Sequence, residues 1–153
     1  MSRYTANVRW TRGDANFIDG RYSRRHAWRF DGGAEVPGSS SPHSVRIPYS
    51  DPEAVDPEEA FVAALSSCHM LFFLSIAAKR GHRIDEYVDD AEGFLEKDPD
   101  GRMSVTRVML HPRVAWSGDH PPSSGDIAAM HDEAHHACYI ANSVKTQVAC
   151  EPR

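Results

Sequence analysis

Cysteine is scarce and odd in number: Cys68, Cys138 and Cys150 are the only three in 153 residues. That count excludes the dense disulfide framework of a small secreted domain and suits reduced thiols in a cytoplasm. The opening stretch from Met1 to Trp10 lacks the apolar core of a signal peptide. An excess of positive charge is missing too. Seventeen Lys and Arg stand against 22 Asp and Glu, for a net charge of −5, which argues against a general nucleic-acid binder. Repeats, low-complexity tracts and linkers are absent, so residues 1–153 read as one domain. Hydrophobic residues at 41% and charged residues at 25% are enough for a real core and exclude wholesale disorder.

One long apolar run is present. Residues 60–78, AFVAALSSCHMLFFLSIAA, are 19 uncharged residues in a row, long enough to span a bilayer. Ser66, Ser67, His69 and Ser75 interrupt it, and no basic loop flanks it to set an orientation. The run therefore reads as the buried central helix of a soluble protein with no membrane partner. Its ends are well marked. Asp56 can cap, Pro57 suits the first helical position and Glu59 completes a capping box, while Gly81 follows Lys79 and Arg80 as a natural stop.

Around this helix the pattern is mostly strand. Residues 4–12 alternate, and residues 21–30 do so again with Tyr22, His26, Trp28 and Phe30 on one side. Asp31-Gly32-Gly33 makes a turn into a short strand, and residues 37–57, with five of the ten prolines, read as a long loop with a short strand at Ser44–Pro48. Tyr87–Lys97 and Met103–Trp116 read as the two arms of a hairpin about the Asp98–Gly101 turn. Asp126 is the expected cap of a second helix running to about Ile140, and a last strand aligns Val144, Thr146, Val148 and Cys150. Hairpins rather than βαβ crossovers make the class α+β with antiparallel sheets around a long buried helix.

Several residue types could carry chemistry. Cys68 lies inside the apolar helix, and Cys138 lies near the end of the second helix. For each, a small buried hydrophobe is the ordinary reading, yet thiols on two helices could also face each other. Cys150 reads as structural. Nine histidines need an account. His131, His135 and Cys138 fall along one helix stripe and could present three metal ligands, although solvent-facing histidines are the more usual outcome and no zinc motif supports the stripe. Arg24 falls in phase with the aromatic face, unlike Arg21, Arg25 and Arg29. On phase alone, a buried arginine with a charge partner and one that snorkels to water stand level.

At this point the sequence resembles the OsmC/Ohr family of thiol peroxidases. DPEEAFVAALSSCHMLFFLSIAAKRG is similar to the family's central-helix motif, in which a reactive cysteine follows the Asp-Pro-Glu glutamate by ten residues, as Cys68 follows Glu58. AHHACYIANSVK resembles the second motif, Ala-His-x-x-Cys, with Cys138 as the other cysteine. Tyr139 departs from the proline found there in many members, which leaves the branch open. The resemblance covers essentially the whole chain. It implies an intertwined homodimer and reduction of peroxides, chiefly organic ones with hydrogen peroxide as a further candidate, without a bound cofactor; no metal is expected. It also implies an arginine and the motif glutamate attending the thiol. Glu58, Cys68 and Cys138 carry over directly; among Arg21, Arg24, Arg25 and Arg46, strand phase favours Arg24.

The implied chemistry suits these residue types. A Cys68 thiolate attacks the peroxide, and a guanidinium held by Glu58 stabilises the thiolate and the departing oxygen. The sulfenic acid on Cys68 condenses with Cys138 to a disulfide, and an external dithiol of lipoyl or thioredoxin type restores both thiols. An unbroken helix would set Glu58 and Cys68 about 15 Å apart. A bridging arginine would close part of that gap. An interruption near Ser66-Ser67, placing Cys68 in a fresh first turn, is the expectation taken forward. The rival function is a non-enzymatic thiol, metal-binding or sensor protein of the same fold.

Overall fold

The computed structural model describes all 153 residues. They form two compact units, Met1–Ala60 and Phe61–Arg153.

In the first unit three short strands make an antiparallel sheet in the order β1-β2-β3: β1 Ala6–Arg9, β2 His26–Phe30 and β3 Glu35–Gly38. Trp28 faces Val8 on one side and Val36 on the other. The first two strands are shorter than alternation predicts. Residues 10–25 instead fold over an aromatic cluster in which Trp10, Phe17 and Tyr22 lie within 5.8 Å of one another, centroid to centroid. Trp10 donates its indole N–H to the Ser23 carbonyl at 2.8 Å. Arg24 thus precedes β2 rather than lying on it. The Ser44–Pro48 strand does not form; that segment is a run of turns.

Helix α1, Pro57–Lys79, begins as its sequence requires. The Asp56 carboxylate accepts from the Glu59 N–H at 2.8 Å, and Glu59 reaches back to the Asp56 N–H at 3.1 Å, which satisfies two of the helix's orphan donors. At the other end the His82 and Gly81 N–H groups return to Ala77 and Ala78. Gly81 takes φ +81° there, a left-handed conformation that suits glycine. The expected interruption near Ser66-Ser67 does not occur. Ser67 spends its hydroxyl on the Ala63 carbonyl at 2.7 Å, and Ser66 donates outward to Asp89 at 2.5 Å, so both serines are absorbed without breaking the ladder.

Two hairpin arms become four strands in the second unit. The first arm starts four residues before Tyr87 and divides into β4 Arg83–Asp89 and β5 Glu92–Lys97, and the second divides into β6 Met103–Leu110 and β7 Pro112–Ser117. Proline at 112 has no N–H to continue the ladder. Beside it Asp89 accepts the His111 N–H at 2.6 Å, so the arms turn a corner and pair as two sheets, β4-β7 and β5-β6-β8. The last strand, β8 Gln147–Cys150, runs parallel to β6, whereas the other strand pairs are antiparallel.

Helix α2 covers Ser124–Ala137, and its cap is Ser123 rather than Asp126. Asp126 is the third helical residue, completing a capping box. The helix ends before Ile140, and a single 3-10 turn, Ala141–Ser143, leads towards β8.

Two apolar clusters hold the second unit. Phe73, Ile76 and Ala77 of α1 pack with Met130 and Ala134 of α2, and Leu65 packs with Val108 and Leu110 of β6. Each large side chain buried this way contributes about 1.5–3 kcal/mol. Gly93 on β5 permits the close approach, since a Cβ there would sit 2.5 Å from Val62 Cγ2. Only one stripe of α1 is buried, Leu65, His69, Phe73, Ile76 and Ala77, at helical spacing. Leu71 stays 63% exposed.

Candidate active site

The two helices bring Cys68 and Cys138 together. Cys68 sits mid-helix on α1, partly buried; Cys138 caps the C-terminus of α2 and is buried. Both thiols are free, and Cys68 is close enough to the Cys138 thiol to bear on its acidity. The Ala141 N–H points at the Cys138 sulfur from 3.4 Å. Burial is the main reason the Cys138 thiol is less acidic than usual, and the Cys68 contact adds to it against the opposing Ala141 N–H. Cys138 therefore rests as a thiol, which suits it to wait for an electrophilic sulfur. Beside the pair, Phe72 and Tyr139 meet edge to face at 5.0 Å, and Tyr139 is 69% exposed. They give the thiols an apolar rim.

Arg24 and Glu58 also share a location, in the first unit. Both line a hollow of about 220 Å³ together with His26, Ser39 and Ser41. The Arg24 guanidinium lies 3.8 Å from the Tyr22 ring centroid and donates to the Gly20 and Tyr22 carbonyls at 2.8 and 2.6 Å. Cation–π contact and two carbonyls fix its plane. Arg25 points elsewhere, to an exposed pair with Asp51. With α1 unbroken, Glu58 and Cys68 lie ten residues apart on one helix, about 15 Å of rise.

The metal stripe of His131, His135 and Cys138 does not form. Cys138 leaves the helix as its cap and meets Cys68, while His131 turns into the core. There His131 Nδ1 lies 2.9 Å from His69 Nε2, and Cys150 Sγ lies 3.6 Å from the first and 3.9 Å from the second. This His69–His131–Cys150 cluster was not visible as a unit in the sequence, because its members come from α1, α2 and β8. A histidine inside a 19-residue uncharged run was the one available sign. Burial holds both imidazoles near pKa 4. The charge of His135 assists at His69 and that of His69 at His131, against weaker opposition from Asp89 and Asp132.

Neutral histidines of this kind make stability depend on pH. Their folded values lie below the ordinary 6.5, so the unfolded chain binds protons first as pH falls. The contribution is complete above pH 6.5 and is lost as pH drops towards 4. Between pH 7 and 5, where carboxylates titrate little, one such histidine accounts for about 2 kcal/mol. Urea unfolding in the presence of a chelator should show that loss, and His131→Leu should flatten it. A wild-type midpoint that stays constant over this range would contradict the neutral pair.

The OsmC-like protein family matches residues 50–153, a segment that contains Glu58, Cys68, Cys138 and Cys150. The chain belongs to the OsmC family. An OsmC-like protein of unknown function from Vibrio cholerae is 51% identical, with each chain covered over 100% of its length and a TM-score of 0.98. Two organic hydroperoxide resistance proteins share the OsmC fold at greater distance. That of Legionella pneumophila is 16% identical, covers 99% of this chain and 97% of its own, and has a TM-score of 0.68. That of Bacillus subtilis is 17% identical, covers 98% of each chain, and has a TM-score of 0.65. Among curated protein sequences none matches the chain.

Proposed function

We propose that this OsmC-family protein is a cytoplasmic, cysteine-based peroxidase that reduces organic hydroperoxides to alcohols. The proximity of the Cys68 and Cys138 thiols, brought near each other by the two helices, is the observation that carries this reading. The Cys68 thiolate attacks the distal peroxide oxygen, the O–O bond breaks, and the alcohol leaves with a proton. Cys68 is then a sulfenic acid. Cys138 condenses with it, releasing water and forming a disulfide, and an external dithiol returns both to thiols by exchange. Phe72, Tyr139 and the exposed Leu71 favour a substrate with an apolar tail over hydrogen peroxide. The test is turnover of cumene hydroperoxide with dihydrolipoamide or reduced thioredoxin as recycling dithiol. Cumyl alcohol should form well above the rate with dithiol alone; an equal rate would sink the proposal.

Arg24 and Glu58 serve this reaction from a second copy of the chain. Ten residues of unbroken helix, about 15 Å of rise, separate Glu58 from Cys68, and in this reading a homodimer supplies the Arg24–Glu58 hollow to each thiol from its other copy. The half-exposed α1 supports such a dimer, since much of its apolar surface, Leu71 included, awaits a cover. Sedimentation at low micromolar concentration should give the mass of a dimer. A folded and active monomer would refute the shared site.

A further inference from the structure

We propose that His69, His131 and Cys150 form a binding site for one tetrahedral divalent transition-metal ion of zinc's class, separate from the Cys68–Cys138 pair. Three ligand atoms converge there: His69 Nε2, His131 Nδ1 and Cys150 Sγ, at 2.9, 3.6 and 3.9 Å from one another. Zinc takes nitrogen at about 2.0–2.1 Å and thiolate sulfur at about 2.3 Å. Tetrahedral angles then put two nitrogens about 3.3 Å apart and nitrogen and sulfur about 3.6 Å apart. The observed triangle is within a few tenths of an ångström of that shape. Three protein ligands leave the fourth position for water or an anion.

The protonation states open to the cluster are compatible with an ion. Without metal, two neutral imidazoles share one proton across the 2.9 Å contact, and the remote nitrogens, His69 Nδ1 and His131 Nε2, are buried with no partner. One of these then carries a stranded proton and the other a bare lone pair, in surroundings where each histidine is less than 5% exposed. An ion would take the facing lone pair of each ring, which fixes the tautomer of both and puts the proton of each on its remote nitrogen. Phe73 stacks on His131 at 4.0 Å and fixes its plane. Cys150 is only partly buried, which gives the ion a way in. Burial pushes the Cys150 thiol up to about 12, with the charges of Asp89, Asp132 and Glu151 adding to it, so binding must expel its proton. The balance is one metal ion bound to Cys150 thiolate and two neutral imidazoles, and one proton released.

Cobalt(II) reports the site directly, because a thiolate ligand gives a sulfur-to-cobalt charge-transfer band and tetrahedral geometry gives intense visible bands. The Cys68→Ser/Cys138→Ser double variant removes the other thiols, so the outcome is independent of peroxidase activity. It should bind one cobalt ion with both signatures, release one proton, and yield the ion to zinc. Adding Cys150→Ser should erase the charge-transfer band. His131→Gln, with the thiol retained, should weaken cobalt binding at least about tenfold, and circular dichroism establishes that each variant is folded. Absence of the band in the folded double variant, or its survival after Cys150→Ser, would overturn the site.

Discussion

Cys68→Ser should reduce peroxide turnover to the background of free dithiol, whereas Cys138→Ser should complete one oxidation and then stop. The asymmetry follows from the different roles proposed for the two thiols. Cys68 is the partly buried sulfur open to substrate, and Cys138 is the buried neighbour whose acidity burial suppresses. Removal of the first leaves no nucleophile, since serine is far weaker at neutral pH. Removal of the second leaves a sulfenic acid on Cys68 with no partner to condense with. Mixed with one equivalent of cumene hydroperoxide and no reductant, Cys138→Ser should form cumyl alcohol in a single burst and react with a dimedone probe. Equal residual activity in the two variants would reverse or dissolve the assignment.

Arg24→Ala should slow the oxidation step about 10²–10³-fold, the usual cost of deleting a preorganised donor to developing negative charge. The guanidinium is held by the Tyr22 ring and by the carbonyls of Gly20 and Tyr22 in a hollow shared with Glu58. That is a fixed plane rather than a mobile charge, so Arg24→Lys should rescue little. Arg25→Ala removes only an exposed pair with Asp51, worth at most about 1 kcal/mol, and Arg21→Ala alters an exposed side chain. Single-turnover oxidation rates and thiol alkylation rates for the three alanine variants decide the matter. Loss of the fast thiol in Arg25→Ala or Arg21→Ala, with Arg24→Ala unimpaired, would move the site to another arginine.

The helix ends were the most legible part of the chain, because the Asp56–Glu59 box and Gly81 act locally and need no tertiary partner. The division of the hairpin was not. Tyr87–Lys97 has no proline to mark a break; the corner depends on Asp89 accepting the His111 N–H across the arms, a contact between residues 22 positions apart. Strand phase put Arg24 on the aromatic side, and it is indeed against Tyr22, though in a loop ahead of β2. Hydropathy made α1 look apolar all round, while the structure buries only the stripe from Leu65 to Ala77 within one chain. Spacing along α2 suggested a ligand stripe, but spacing fixes only which residues share a face. His131 found His69 and Cys150 through packing of three separate elements, which no local pattern encodes.

Peptide mapping of the wild-type protein after one equivalent of organic hydroperoxide tests the account most directly. Reduced protein, mixed with cumene hydroperoxide and then alkylated and digested, should lose two of its three thiols per chain. The disulfide-linked peptide should join Cys68 to Cys138 within one chain, Cys150 should be recovered alkylated, and cumyl alcohol should match the disulfide mole for mole. Full recovery of all three thiols, or a disulfide that pairs Cys150 and leaves Cys138 free, would contradict it.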